Sequence, residues 1–109
     1  MKEIQKLDEE WMKQAEDLGL LDQKLFIQAV ESYNFQIELA EKLRENIREI
    51  GTTIMIPVGR DNEKLASNPA IADLNKAEIL AQKIRLELDK KMDRAKESSE
   101  AMKKHERKL

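Results

Sequence analysis

Residues 51–71 read GTTIMIPVGRDNEKLASNPAI, and they interrupt a chain that is otherwise Lys, Glu, Leu, Ala and Gln at helical spacing. Thr52, Thr53, Ile54, Met55 and Ile56 favour an extended strand, and Gly59-Arg60-Asp61-Asn62 is rich in turn formers. Glu63 to Ala66 can return as a second strand, which predicts a β-hairpin near 52–66. Pro57 has no amide to give a central ladder, so the pair is an edge or a two-stranded ribbon. Asn68-Pro69 then restarts a helix, with the Asn side chain as cap and the Pro at the first helical position, where an amide is dispensable.

Upstream of this stretch, Ile4, Leu7, Trp11, Ala15 and Leu18 form one apolar stripe, predicting a first helix over about residues 2–18 that Gly19 closes. Asp22 is placed to cap a second helix. In it Leu25, Phe26, Ala29, Val30, Tyr33, Ile37, Ala40, Leu43, Ile47 and Ile50 keep helical spacing up to Gly51, over roughly 42 Å. That apolar face is longer than the first helix can cover. Downstream, Ile71, Leu74, Ala77, Ala81, Ile84, Leu88, Met92 and Ala95 predict a third helix over 69–96, or on to about 105, near-heptad in its course, with fraying beyond Ala95 where apolar residues thin out. The fold class is therefore mainly α: a short and a long helix as a hairpin, a small β-hairpin, and a long C-terminal helix. Residues 1–96 form the folded part and 97–109 a basic tail.

At 109 residues, with 4% aromatic and 39% charged side chains, a single copy has few large groups with which to fill an interior, so association into a homo-oligomer is expected. Cysteine is absent, which excludes disulfide and thiolate–metal frameworks. No apolar run approaches the roughly 20 residues that span a bilayer, and the start MKEIQKLDEE lacks the apolar core of a secretion signal, so a soluble cytoplasmic protein with no membrane partner is expected. The net charge of −2 is uneven: Lys90 to Leu109 carry eight basic and four acidic side chains, against 12 and 18 in residues 1–89. A basic tail on an acidic body suits an anionic partner.

Residues for catalysis are scarce. The single histidine, His105, stands in the polar tail and reads as a solvated surface residue. Glu38, Glu41 and Glu45 share one side of the second helix, but no Glu-x-x-His partner accompanies them, so they read as a charged face and no metal site. Gly51 and Gly59 frame no Gly-Lys-Ser/Thr sequence that would cradle phosphates. No enzyme activity and no cofactor is expected; the chain acts by binding.

The ordered set of a short helix closed by Gly19, a long helix opened near Asp22 and closed by Gly51, a hairpin, and a helix opened by Asn68-Pro69 resembles the small subunit of bacteriophage terminases. The resemblance covers roughly residues 10–88, from EWMKQAEDLGLLDQKLF through NPAIADLNKAEILAQKIRLEL, with Tyr33 in the aromatic-bearing middle of the long helix. The chain departs from that pattern by continuing through LDKKMDRAKESSEAMKKHERKL without a Pro or Gly break. What the resemblance implies is a ring-forming, non-catalytic packaging factor in the host cytoplasm. Such a factor binds double-stranded viral DNA and delivers or regulates the terminase large subunit, which carries the ATPase and nuclease. The alternative is a helical scaffold or assembly chaperone with no nucleic-acid role.

Under the first reading the candidate phosphate contacts are Lys42, Arg44 and Arg48 on the second helix, Arg60 and Lys64 on the hairpin, and Lys90, Lys91 and Arg94 on the third helix. The candidate oligomer interface comprises Trp11, Phe26, Val30, Tyr33, Ile37, Ile54 and Ile56, with neighbouring copies covering the face that starts at Phe26; the alternative is a third helix that folds back to cover it. Met102, Lys103, Lys104, Arg107 and Lys108 are the candidate docking segment for the large subunit, the alternatives being a tail that extends the third helix and grips DNA through Lys103, Lys104, Arg107 and Lys108, and a solvated end with no partner.

Overall fold

A computed structural model describes the backbone of residues 5–107 and the side chains of residues 5–102. The chain is a rod, 83 Å long and 23 by 17 Å across. In order it forms α1 (Glu9–Asp17), a 3-10 turn (Leu20–Asp22), α2 (Lys24–Ile50), β1 (Thr53–Pro57), β2 (Glu63–Ser67) and α3 (Pro69–Arg107). The two long helices lie antiparallel, joined at one end by the β-hairpin.

The first helix starts later than its apolar stripe suggests. The Asp8 carboxylate accepts from the Trp11 amide at 2.7 Å, which satisfies a first-turn donor and fixes the cap there. Glu9 and Glu10 in that first turn favour the positive end of the helix dipole. Residues 5–8 run along α2 instead: the Tyr33 hydroxyl donates to the Gln5 carbonyl, and Lys6 Nζ lies 3.4 Å from Glu41. Ile4, the expected first apolar position, lies outside the described residues.

Gly19 takes a left-handed φ of 74°, as a helix-terminating glycine should. The expectation that Asp22 caps α2 is corrected, because Leu20 is buried and pulls the following residues into the 3-10 turn. Asp22 ends that turn, and Gln23 becomes the N-cap without a side-chain bond. Gly51, at φ 98°, closes α2, its amide donating to the Ile47 carbonyl at 2.8 Å.

The hairpin pairs Thr53 with Ser67, Ile54 with Ala66, Met55 with Leu65, Ile56 with Lys64 and Pro57 with Glu63. Val58 donates to the Asn62 carbonyl at 2.7 Å across the connecting loop. Ile54, Ile56 and Ala66, on one face, are half-buried. Met55 and Leu65 are exposed on the other.

The core has two parts with different side chains. Away from the hairpin, α2 contributes Phe26, Val30, Tyr33 and Ile37, and α3 contributes Leu88 and Met92; α1 closes them with Ala15 and the half-buried Trp11. Toward the hairpin only α2 and α3 remain, and the buried residues are small: Ala40, Ala70, Ala77 and Ala81. Short side chains let two helices approach closely where there is no third to help fill a wider space.

This arrangement corrects the expectation for Phe26, Val30, Tyr33 and Ile37. The same chain buries all of them, because α3 returns along α2 and α1 closes the remaining side. Trp11 is committed likewise: its ring stacks on Phe26 at 5.8 Å between centroids, and its Nε1 donates to Asp89 at 3.3 Å. Beyond Ala95 the third helix takes the longer of its two expected extents. The sequence from Ala70 onward contains no Gly or Pro, the residues there are mostly strong helix formers, and α3 continues to Arg107.

Candidate nucleic-acid and subunit interface

Asn68 organises the junction from which the hairpin projects. Its side chain is buried, and its Oδ1 accepts from the Ala70 amide at 3.0 Å as a cap. Its Nδ2 donates to the Gly51 carbonyl at 2.9 Å and to Asn46 Oδ1 at 3.1 Å, while its backbone amide donates to the Thr52 carbonyl at 2.9 Å. One side chain thus holds the end of α2, the base of the hairpin and the start of α3 together. The sequence signals the cap; the reach to Gly51 and Asn46 depends on the two helices meeting, which spacing does not reveal.

From that base the ribbon carries Arg60 and Lys64, both exposed. Lys42 and Arg48 are exposed on the hairpin-proximal half of α2. Arg44 is not free for a phosphate: its guanidinium lies 2.9 Å from Glu78 of α3, with both side chains about four-fifths covered. A partly desolvated ion pair between helices fixes their register, and releasing Arg44 would leave Glu78 unpaired. Lys90 and Arg94 point outward from α3, and Lys91 is half-buried. They follow Glu78 by 12 residues or more, about 18 Å along the helix axis. The candidate cations therefore form separate groups along the rod, at the hairpin, on α2 and toward the far part of α3.

A second polar cluster escaped the sequence reading. Arg85 on α3 lies over both the Trp11 ring, at 5.5 Å, and the Tyr33 ring, at 5.8 Å, and its Nε donates to Asp89 at 3.2 Å. Burial pushes the Tyr33 phenol above its ordinary value, and the Arg85 guanidinium acts in the opposite direction. The cluster latches α1 onto the long-helix pair. Its chemistry is that of a structural clasp, with aromatic faces holding a cation whose charge Asp89 balances. Among the described residues no three His, Cys, Asp or Glu side chains converge as metal ligands, and no helix is long and apolar enough to cross a membrane.

Several large apolar side chains face outward: Leu25 and Phe35 on α2, Met55 and Leu65 on the ribbon, Ile79 and Leu86 on α3. An open apolar groove between α2 and α3 is floored by Leu39, Leu43, Ala77 and Leu80, with Asp73 and Lys76 at its rim. Of the candidate interface residues only Ile54 and Ile56 retain partial exposure outside the helical core. Met102 is exposed on the far end of α3. The side chains of Lys103, Lys104 and Arg107 lie outside those described, as does all of Lys108. Comparison with family models, curated proteins and solved structures returned no match.

Proposed function

We propose that the chain is the small subunit of a bacteriophage terminase, a non-catalytic factor that oligomerises, binds viral DNA and delivers or regulates the large subunit. The observation that carries the reading is the order of elements with their punctuation: a short helix ended by Gly19, a long helix ended by Gly51, a protruding ribbon, and a helix opened by Asn68-Pro69. Two further features support it. The outward apolar side chains on both long helices and on the ribbon are more than a rod this thin has reason to leave in water as a single copy. Arg60 and Lys64 sit on a projecting element where a duplex can be reached, and repetition around an oligomer makes individually weak phosphate contacts add. The exposed Met102 and the basic run after it would serve as the docking segment for the large subunit.

One observation favours the second reading, a helical scaffold without a nucleic-acid role: the candidate cations lie in separate groups on a body that is acidic through residue 89. A titration of duplex DNA against salt separates the two. Phosphate contacts release counterions, so affinity should fall steeply from about 50 to about 300 mM salt, and replacing Arg60 and Lys64 together by Ala should lower affinity and flatten the slope. Binding that is absent, or indifferent to salt over that range, removes the DNA-binding reading.

A further inference from the structure

The core residues on the two long helices show where the uncovered faces point. On α2, Phe35 stands two residues from both Tyr33 and Ile37, so it projects about 200° around the helix from the core. On α3, Ile79 stands two residues from Ala77 and Ala81, and Leu86 two from Ile84 and Leu88. Their exposures, 61% for Phe35, 51% for Ile79 and 61% for Leu86, agree with that placement. Since α2 and α3 pack core side to core side, these two apolar strips lie on opposite sides of the rod.

The strips carry opposite charge. Beside Phe35, Glu31, Glu38 and Glu45 recur every seven residues and are all exposed, and Gln28, Glu31, Ser32 and Gln36 form a shallow dent around the ring. Beside Ile79 and Leu86, Lys76, Lys83 and Lys90 recur every seven residues and are likewise exposed. Lys24 and Lys42 interrupt the acidic row, and Glu87 and Asp93 stand near the basic one, leaving each with a small excess of its own sign. A seven-residue repeat keeps a row on one side of a helix, as two helices packed side by side require.

We infer that the two strips are the halves of one contact between copies of this chain, the acidic Phe35 face of α2 on one copy receiving the basic Ile79 and Leu86 face of α3 on the next. This rests on the self-association in the proposed function and names its surfaces. A second copy suits the site because each strip lacks the charge and the apolar partner that the other supplies. The rows from Glu31 to Glu45 and from Lys76 to Lys90 each run about 21 Å, and across the 17 Å minor dimension of the rod such a contact covers on the order of 350 Å2, below the roughly 800 Å2 per partner of a standard interface, so its strength comes from repetition in the assembly. Because the halves differ and lie on opposite sides, every copy uses both. The contact is head-to-tail and builds a closed ring, or an open row if the rotation does not close.

The test uses two full-length variants, Phe35→Glu and Leu86→Glu, each placing a charge in one strip at a position that is exposed and outside the core. Light scattering and circular dichroism are measured on the wild type, on each variant and on their equimolar mixture. The wild type is expected as an oligomer and each variant as a 12.7 kDa monomer of unchanged helicity. The mixture is expected to stop at a one-to-one dimer. It joins the intact Phe35 face of one variant to the intact Leu86 face of the other, and the two faces left over each carry a glutamate where the contact needs an apolar side chain. Variants that keep the wild-type mass overturn this contact while leaving self-association standing. Monomeric variants whose mixture stays monomeric overturn the head-to-tail pairing, and a monomeric wild type overturns both the contact and the oligomer reading.

Discussion

Replacing Asn68 by Ala is expected to be among the most damaging polar substitutions in the chain. Its buried side chain makes three hydrogen bonds, accepting one from Ala70 and donating two, to Gly51 and Asn46. Loss of the cap alone costs about 1 kcal/mol. Losing the two donors leaves the Gly51 carbonyl and the Asn46 side-chain oxygen without them. Both acceptors belong to half-buried residues that water can partly reach, so their desolvation adds about 1–2 kcal/mol and no more. The total is about 2–3 kcal/mol, enough to shift a urea midpoint by about 1–2 M at a slope typical of a small protein. Asn68→Ser separates the contributions, because a hydroxyl still caps Ala70 but does not replace the two donors; it should recover about 1 kcal/mol of the loss. Urea unfolding followed by circular dichroism at one fixed protein concentration reads both, the concentration being held because association contributes to apparent stability. An Ala variant within about 0.5 kcal/mol of the wild type, or a Ser variant as unstable as Ala, would refute the assignment of Asn68 as the junction between α2, the ribbon and α3.

Three further outcomes are expected. A double-mutant cycle on Arg44→Ala and Glu78→Ala should show a coupling of about 1 kcal/mol in urea unfolding, more than an exposed pair gives because both side chains are mostly covered; coupling near zero would return Arg44 to the pool of available phosphate contacts. Trp11→Ala removes the ring stacked on Phe26 and uncovers Arg85, so it should cost about 2–3 kcal/mol and make residues 5–22 the first site of limited proteolysis; cleavage starting in the ribbon instead would count against the clasp. The raised Tyr33 phenol binds its proton more tightly when folded than when unfolded, so its contribution to stability is full below the ordinary tyrosine value of about 10 and is lost as pH rises through that value toward the folded one. Thermal unfolding of the wild type should weaken above about pH 10 more steeply than that of Tyr33→Phe, and absorbance titration of the single tyrosine should place its midpoint above the ordinary value.

How much of this was legible in the sequence depended on whether a feature is local. The β-hairpin and the Asn68-Pro69 restart could be read because strand propensity, turn residues and a cap act over a few residues, and the strands begin and end within one residue of the expected positions. The stripe on α2 could be read too, since 3.6-residue spacing is visible in one dimension. What covers that stripe is not a local property. The short side chains of Ala77 and Ala81 are what admit α3 alongside α2, and as letters they look like weak core formers. The clasp of Trp11, Arg85, Tyr33 and Asp89 joins residues from three helices, so no window of sequence contains it.

The cap at Asp8 failed to register for a different reason. Ile4, Leu7 and Trp11 keep helical spacing, yet a carboxylate at Asp8 competes with the backbone for the Trp11 amide and wins, so periodicity and capping point to different starts. The outer strips show the same limit of pattern reading. Ile79 and Leu86 fall two residues from core positions, and in a helix carrying Leu at 74, 80 and 88 as well they blend into one broad apolar band. Only when α2 is known to occupy one side of that band does the remainder separate into a core stripe and an outward one. Lys76, Lys83 and Lys90 hold a constant seven-residue interval along the outward stripe, and Glu31, Glu38 and Glu45 hold the same interval on the opposite side of the rod. Two helices that needed only to solvate those sides would be served equally well by mixed charge, which supports isolated helices through four-residue pairs. The rows keep some of those pairs, Glu38 with Lys42 and Lys83 with Glu87, so what remains for a neighbouring copy is the excess of one sign on each side, which a facing row of the other sign complements.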